Sequence, residues 1–197
     1  MRADLKIVSD LIADGAHVLD LGCGDGELLA YLCASKRAHG YGLEIDPAQI
    51  TACLARGVNV IQHDLNEGLA RFTDASFDVD VMAETLQVVR RPDLVLTEML
   101  RVGRECVVTF PNFGHWRCRW QLATRGRMPV SSHLPHHWYD TPNIHLCTFV
   151  DFERLCGDLH LNIVERFVVD EDYGARRLIT RFPNLFGAVA FYRLSRS

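Results

Sequence analysis

The 197-residue sequence has no C-x-x-C pair, no long apolar run, no internal repeat and no excess of basic residues. Its seven cysteines are odd in number and scattered, which argues against a disulfide framework or a zinc knuckle and for a reducing compartment. The histidine-rich stretch 133–138 has no accompanying cysteine or acidic ligands at metal-binding spacing. We therefore expect no metal site and a cytoplasmic location.

Charge and hydropathy exclude two further classes of partner. The 21 Lys and Arg residues against 25 Asp and Glu residues give a net charge of −4, whereas binding to nucleic acid favours a basic surface. No apolar stretch approaches the length of a membrane span, and the first residues are mixed and charged, unlike a secretory signal. We expect a globular protein that binds neither nucleic acid nor membranes.

Strand and helix patterns alternate along the chain, which is typical of a parallel sheet with crossover helices. Helical spacing and capping residues predict helices at 3–14, 27–34, 92–103 and 148–159, and Pro47 opens another. The alternation of strand and helix patterns is interrupted at residues 112–144, so we expect an insertion over the sheet after strand five. The whole chain is predicted to form one domain spanning residues 1–197. The predicted strands are 17–21, 40–46, 58–64, 76–84, 105–111, 161–169 and 187–194.

A glycine-rich turn follows the first predicted strand, in the stretch HVLDLGCGDGELL (residues 17–29). Such turns hold nucleotides, but the third glycine of the dinucleotide pattern G-x-G-x-x-G is replaced here by Glu27. The carboxylates of Asp20 and Glu27 would repel a pyrophosphate and attract an ammonium or a sulfonium group. S-adenosylmethionine carries both cations, so we predict that it, or its product S-adenosylhomocysteine, is the ligand.

The residues of the turn itself are predicted to contact this ligand. Gly22, Gly24 and Gly26 would allow the backbone to approach closely, because they carry no side chain that excludes the ligand. Cys23 is interpreted as a small side chain beside the cofactor rather than as a nucleophile, because no neighbouring base is evident.

Acidic residues also follow the next predicted strands. Glu44 ends the second strand, where a carboxylate is suited to accept hydrogen bonds from both ribose hydroxyls. Asp64 ends the third strand and would meet the adenine amino group, with Ile45 and Leu65 as apolar neighbours of the ring. Glu84, at the end of the fourth strand, is assigned to the same site. The alternative is that acids at strand ends serve only as helix caps.

An acceptor side, if the protein is an enzyme, is predicted above the same edge of the sheet. His115 or Tyr139 would remove a proton there, although methyl transfer depends mainly on positioning and desolvation. Two alternatives stay open: the aromatic residues and asparagines pack the insertion onto the sheet, or an aromatic–arginine patch is exposed for a protein partner. The predicted acceptor-side residues are Gln87, Asn112, His115, Trp116, Trp138, Tyr139, Asn143 and His145, and the patch would comprise Arg117, Arg119, Trp120, Arg125 and Arg127.

The stretches VLDLGCGDGELL, YGLEID, HDLNEGL and SFDVDVMAETLQ resemble, in order, the motifs of class I S-adenosylmethionine-dependent methyltransferases. The resemblance implies a Rossmann-like α/β fold with a seven-stranded, mostly parallel sheet, whose antiparallel last strand lies between the two preceding ones. A histidine that often follows strand four in this family is absent, because the run reads Leu86-Gln87-Val88. The Asn-Pro-Pro-Tyr signature is absent too, so no motif identifies a methyl acceptor.

The stretches TLQVVRRPDLVLTEML and HHWYDTPNIHLCTFVDFERLC carry a narrower resemblance, to the MetW family of methionine-biosynthesis proteins. This likeness runs nearly from end to end. It implies a role in methionine biosynthesis and an association with homoserine O-acyltransferase. Two functions stay open: a methyltransferase of unknown acceptor, or a non-catalytic partner or regulator of the acyltransferase that uses the cofactor pocket as a sensor.

Overall fold

Seven strands form one mixed sheet in the computed structural model, which describes residues 2–131, 133–170 and 181–196. The strands are β1 (His17–Leu21), β2 (His39–Glu44), β3 (Val60–Gln62), β4 (Phe77–Ala83), β5 (Gly103–Pro111), β6 (Leu161–Val169) and β7 (Val189–Arg196). They lie in the order β3-β2-β1-β4-β5-β7-β6. Strands β1 to β5 pair in parallel, and β7 runs antiparallel to both β5 and β6. The predicted fold class is therefore confirmed, including the place of the last strand.

Helices cover both faces of the sheet because its strands direct apolar side chains into two cores. In β1, Val18 belongs to the core under α1 and α2, whereas Leu19 and Leu21 belong to the core under α4 and α6. No helix among the described residues is long and apolar enough to cross a membrane. The α-helices of the described residues are α1 (Ala3–Asp10), α2 (Glu27–Lys36), α3 (Pro47–Ala55), α4 (Pro92–Val102), α5 (Trp116–Arg125), α6 (Phe149–Asp158) and the short α7 (Pro183–Phe186).

Two of the predicted helix starts are confirmed by their caps. The Thr148 hydroxyl accepts a hydrogen bond from the Asp151 amide at 3.3 Å, and the Asp151 carboxylate accepts one from the Thr148 amide at 3.0 Å. At the start of α3, Pro47 occupies the first turn and the Asp46 carboxylate accepts a hydrogen bond from the Ala48 amide at 2.8 Å. These caps satisfy amides that have no partner within the helix.

The first helix is shorter than the sequence pattern predicts. It ends at Asp10 rather than at residue 14. The Lys36 ammonium donates hydrogen bonds to the carbonyls of Ser9 and Ile12, each at 2.6 Å, and so binds backbone groups that a longer helix would use. A contact from α2 therefore ends α1, and no local motif reveals it.

The stretch between β5 and α6 contains a helix that the pattern does not predict. This helix, α5, lies within the predicted insertion at 112–144. Cys118 is its only buried residue, so α5 packs little against the described part of the fold. Apolar periodicity is the main signal for a helix, and in α5 it is weak because the few apolar residues lie among arginines and other polar residues.

The carboxyl ends of β1, β2 and β4 meet at one edge of the sheet, because these strands are parallel neighbours. The glycine turn follows β1 and Glu44 ends β2, so both lie at this edge. The strand order also reverses here, since β1 lies between β2 and β4. Open α/β sheets bind their ligands at such a point.

A buried carboxyl group, Asp80, lies at the centre of the sheet. It pairs with Leu19 of β1 and Cys106 of β5, and no part of it is exposed. Within the described residues neither carboxyl oxygen reaches a hydrogen-bond partner of good geometry, and the Gly103 amide offsets the burial only in part. Burial raises the pKa of Asp80 to about 8, so this group is protonated at neutral pH.

We expect the raised pKa of Asp80 to make the folded chain less stable as the pH rises. In the unfolded chain the pKa of this carboxyl group is about 3.9. The contribution of protonated Asp80 to the free energy of unfolding is therefore complete below about pH 3.9 and is lost as the pH rises towards the pKa of the folded state. Asp80→Asn should remove up to about 1.4 kcal/mol of this loss per pH unit between the two values. Urea unfolding of both proteins at about pH 5, 6 and 7 measures the slopes. Equal slopes would contradict the account.

Candidate functional site

The turn after β1 places three glycines in left-handed backbone conformations. The φ angle is +75° at Gly22, +54° at Gly24 and +76° at Gly26. A Cβ atom on Gly22 would lie 2.5 Å from the Thr85 hydroxyl oxygen, whereas one on Gly24 would meet no atom within 4 Å. Gly22 therefore lets the turn pack against the segment after β4, and Gly24 borders open space.

The carboxylate of Glu44 ties this turn to the end of β2. The Gly24 amide donates to Glu44 Oε2 at 2.9 Å, and the amides of Ile45 and Asp46 donate to Oε1 at 2.8 and 3.0 Å. A carboxylate has about four acceptor sites, so about one remains for a ligand hydroxyl. Three backbone amides thus fix the orientation of Glu44, a role that the sequence pattern does not reveal.

A cavity of about 750 Å³ lies beside the glycine turn. Half of the predicted cofactor residues line it, and they come from the glycine turn and from the ends of β1 and β4. The structure therefore brings together residues that the sequence assigns to one site on chemical grounds alone. These lining residues are Asp20, Gly22, Cys23, Gly24 and Glu84.

Residues from two distant parts of the chain complete this lining. The N-terminal segment adds Arg2 and Leu5, and the predicted insertion adds His136 and Pro142. None of the four is among the predicted site residues. Their positions depend on tertiary packing, so no local motif identifies them.

The cavity is acidic, with the Arg2 guanidinium beside its carboxylates. Asp20 is 2% exposed, and burial first, then the charge of Glu44, raise its pKa to about 7 against the opposing effect of Arg2. Burial also raises the pKa of Glu84, which lies 3.5 Å from Arg2. The negative charge of the cavity therefore increases as the pH passes through neutrality.

Glu84 has an unusual backbone conformation at the end of β4. Its φ angle is +54°, in the left-handed region that glycine normally occupies. The Glu84 amide donates to the carbonyl oxygen of Thr109 at 3.1 Å and to the hydroxyl oxygen of the same residue at 3.0 Å. Strained residues of this kind cluster at functional sites, which fits the place of Glu84 in the cavity wall.

The remaining predicted cofactor residues lie outside the cavity lining. Gly26 is the N-cap of α2, and the Asp64 carboxylate accepts a hydrogen bond from the Asn66 amide at 2.9 Å, which lowers the pKa of Asp64. Oδ1 of Asp64 thus acts as a cap, and a contact of this carboxylate with adenine stays a prediction. Ile45 is 56% exposed, and Leu65 belongs to the core under α4 and α6.

Nucleophilic and metal chemistry find no support at this site. The sulfur of Cys23 lies 3.8 Å from that of Cys53, and burial raises the pKa of both thiols. Cys23 therefore stays protonated and is a poor nucleophile. In the described part of the chain, no group of three or more His, Cys, Asp or Glu side chains could hold a metal ion.

The predicted acceptor-side residues lie in separate places. Gln87 and His145 line an apolar cavity of about 200 Å³ together with Phe110 and Phe152. The Gln87 carbonyl accepts hydrogen bonds from the amides of Ile144 at 2.9 Å and His145 at 3.0 Å, which holds the segment in place. Neither Gln87 nor His145 lines the cavity beside the glycine turn.

The aromatic members of the acceptor-side set lie at the surface. Trp116, Trp138 and Tyr139 are 43%, 74% and 69% exposed. Trp138 and Asn143 line a small pocket of about 40 Å³ that is separate from the other two cavities. These three rings are exposed and do not line the glycine-turn cavity, so their predicted place on an acceptor side stays a prediction.

Asn112 and His115 lie at the junction of β5 and α5. The Asn112 side chain donates to the carbonyls of Asn184 at 3.1 Å and Gly187 at 2.8 Å, and accepts from the Gly114 amide at 2.9 Å. This is the backbone-satisfying role that the packing alternative expects. His115 is 8% exposed and, like Tyr139, does not line the glycine-turn cavity, so proton removal by either stays a prediction.

Comparison with known proteins identifies the family. The family model described as "Methionine biosynthesis protein MetW" matches residues 2–194. The chain belongs to the MetW family. A curated relative from Rhodopirellula baltica, named "Bifunctional methionine biosynthesis protein MetXA/MetW", is 36% identical over 208 residues. The match covers 100% of this MetW-family chain but 33% of that relative, so the chain spans about a third of the relative's length.

Solved structures share the fold of this MetW-family chain at low sequence identity. An S-adenosylmethionine-dependent methyltransferase from Mesorhizobium loti has a TM-score of 0.69 at 16% identity, with 98% of each chain covered. The [4+2]-cyclase SpnF has a TM-score of 0.68 at 16% identity, with 98% of this chain and 80% of that chain covered. Since a cyclase shares the fold with methyltransferases, the fold alone does not decide whether a methyl group is transferred.

Gly22→Ala tests the contact between the glycine turn and Thr85. A left-handed alanine costs about 1 kcal/mol, and overlap with the Thr85 side chain adds about 1–3 kcal/mol. Gly57→Ala is the matched control, because Gly57 has a φ of +74° and open space at its Cβ position. Chemical denaturation should show the larger loss of stability for Gly22→Ala, with partial recovery when Thr85→Ala is added. Equal losses at the two glycines would contradict the packing role.

Proposed function

We propose that this MetW-family protein binds S-adenosylmethionine, or S-adenosylhomocysteine, in the cavity beside the glycine turn. The observation that carries the proposal is the open space at Gly24 within an acidic lining, at the carboxyl edge of the sheet. A volume of about 750 Å³ lies within the range of small-molecule sites. The family and its methyltransferase-fold neighbours are consistent with such a ligand.

The charge of the cavity favours this ligand over a dinucleotide. Asp25 and Glu27 line the cavity in addition to Asp20 and Glu84. Carboxylates attract the ammonium and sulfonium groups of S-adenosylmethionine and repel the pyrophosphate of a dinucleotide. The residues present therefore fit the proposed ligand and disfavour its main competitor.

Each group of the ligand has a counterpart among the residues at this edge. Asp20 and Glu84 would face the cationic end, and the remaining acceptor site of Glu44 would take a ribose hydroxyl. Asp64 would accept from the adenine amino group, beside the apolar side chains of Ile45 and Leu65. When bound, S-adenosylmethionine supplies an electrophilic methyl group.

Gly24→Leu should abolish binding of S-adenosylmethionine without unfolding the protein. The new side chain would extend into the open space of the cavity, while the amide that donates to Glu44 remains. Gly57→Leu introduces the same residue at another left-handed glycine with open space, so it reproduces the backbone strain. Isothermal titration calorimetry should detect binding to the wild type and to Gly57→Leu only. Unchanged affinity of Gly24→Leu would contradict the proposed site.

A second candidate function is regulation of a homoserine O-acyltransferase, with the cavity as a sensor of S-adenosylmethionine. Two observations favour it. The predicted acceptor-side residues are divided among separate pockets and do not surround the glycine-turn cavity. The relative from Rhodopirellula baltica is also named as a bifunctional MetXA/MetW protein, which indicates that a MetW part and a MetXA part share one chain there. Methyl transfer to an unidentified acceptor is the competing function.

Acyltransferase assays test the regulatory role. The rate of homoserine acylation is measured for the acyltransferase alone, with this protein, and with this protein and S-adenosylmethionine. We expect the ligand to change the rate only when this protein is present, and not when Gly24→Leu replaces it, because the response requires the cavity. A rate that is independent of both protein and ligand would contradict this function.

A further inference from the structure

Helix α5 leaves almost its whole surface exposed. Cys118 is its only buried residue, while Trp116, Trp120 and Leu122 are 43%, 64% and 45% exposed. Among the described residues, none from α5 belongs to either apolar core. A surface helix ordinarily buries an apolar stripe against its own domain, whereas these three apolar side chains of α5 are exposed.

The two tryptophans of α5 share one face of the helix. Trp116 and Trp120 are four residues apart, which places their side chains on neighbouring turns. The Arg117 guanidinium lies 5.5 Å from the centre of the Trp116 ring. Tryptophan and arginine are the side chains that most often dominate the binding energy of protein interfaces.

Apolar side chains from the segments that flank α5 in the sequence are grouped with its exposed face. Phe113, just before the helix, and Met128, just after it, both line the 40 Å³ pocket together with Trp138. Trp138 also contacts Tyr139 edge to face, with ring centres 5.8 Å apart. We call this surface the aromatic–arginine face, and it comprises Trp116, Arg117, Trp120, Met128, Trp138 and Tyr139.

The charge of this region is opposite to that of the whole chain. Residues 112–139 contain four arginines and neither aspartate nor glutamate, whereas the chain carries a net charge of −4. Aromatic residues, methionine and arginine are enriched in protein interfaces, and acidic residues are depleted. The composition therefore fits a protein partner that presents an acidic rim around an apolar patch.

We infer that the aromatic–arginine face docks the homoserine acyltransferase, an inference that rests on the proposed regulatory function. The whole of this chain matches 33% of the length of the relative from Rhodopirellula baltica, and the name of that relative also includes MetXA. Covalent fusion keeps two modules at high effective concentration. The two modules need a contact surface whether or not they share one chain, and the exposed face of α5 supplies one.

One side chain connects the ligand cavity with the small pocket that Met128 and Trp138 of the docking face line. His136 lines the glycine-turn cavity, and it also lines the small pocket that Trp138 borders. A ligand that contacts His136 therefore acts on the segment that carries part of the docking face. This shared segment provides a physical connection through which ligand and partner influence each other's affinity.

The double variant Trp116→Ala/Trp120→Ala tests the docking face against a matched control. Leu54→Ala/Leu94→Ala removes two apolar side chains that are 62% and 54% exposed elsewhere on the protein. Calorimetry with purified acyltransferase should show affinity reduced by roughly thirtyfold or more for the tryptophan variant. The control should bind as the wild type does, and both variants should keep the wild-type affinity for S-adenosylmethionine and the wild-type circular dichroism.

A charge reversal tests the basic part of the same surface. Arg125→Glu on α5 should weaken the complex and reduce its dependence on salt, because the partner is expected to be acidic. Arg71→Glu, at an exposed position outside residues 112–139, is the control and should have little effect.

Each other outcome has a distinct meaning. Wild-type affinity of the tryptophan variant for the acyltransferase would overturn the docking face and leave the proposed function intact. Absence of any complex with the wild type would overturn the regulatory function as well. The measured affinity for S-adenosylmethionine would still test, independently, whether the cavity beside the glycine turn binds this ligand. Self-association or RNA binding that the variants abolish, without acyltransferase binding, would show that the face serves another partner and would overturn the inference.

Discussion

The hydrogen bond between Glu44 and the Gly24 amide is the interaction on which the site depends. The same carboxylate accepts from the amides of Ile45 and Asp46, so it joins the turn after β1 to the loop after β2. Left-handed glycines allow the turn to approach this carboxylate and to pack against Thr85. Both loops leave adjacent parallel strands, and the amides of Gly22 and Cys23 also donate to the Leu43 carbonyl, so Glu44 and these backbone bonds together set the relative position of the two loops.

Charge, rather than fold, distinguishes what this cavity would bind. Methyltransferases and a [4+2]-cyclase share the fold at similar TM-scores, so the architecture is compatible with more than one chemistry. Burial raises the pKa values of Asp20 and Glu84, the charges of Glu44 and Asp4 add to the respective shifts, and Arg2 opposes both. A cationic ligand would lower the electrostatic cost of ionising these buried carboxyl groups. The acceptor side shows no comparable concentration of reactive groups around the same cavity.

The sheet and the glycine turn could be predicted from the sequence because their signals are local. Apolar runs locate the strands, and the family resemblance gives the position of β7 between β5 and β6. The covering residues Arg2 and His136 could not be predicted, because only tertiary packing brings them to the cavity. Helix α5 could not be predicted for a related reason: it packs little against the described part of the fold, and its few apolar residues give only a weak helical period. The acceptor-side residues are close in sequence but separate in space, since Gln87 and Trp138 line different pockets.

The pH dependence of S-adenosylmethionine affinity tests the acidic cavity most directly. Asp20 has a pKa of about 7, so its negative charge develops between about pH 6 and 7.5. Calorimetry should show the affinity of the wild type rising by up to about eightfold over this range, because the ionised carboxylate attracts the cationic ligand. The rise should largely disappear in Asp20→Asn. A wild-type affinity that stays constant or falls over the same range would contradict the claim that this cavity selects its ligand by positive charge.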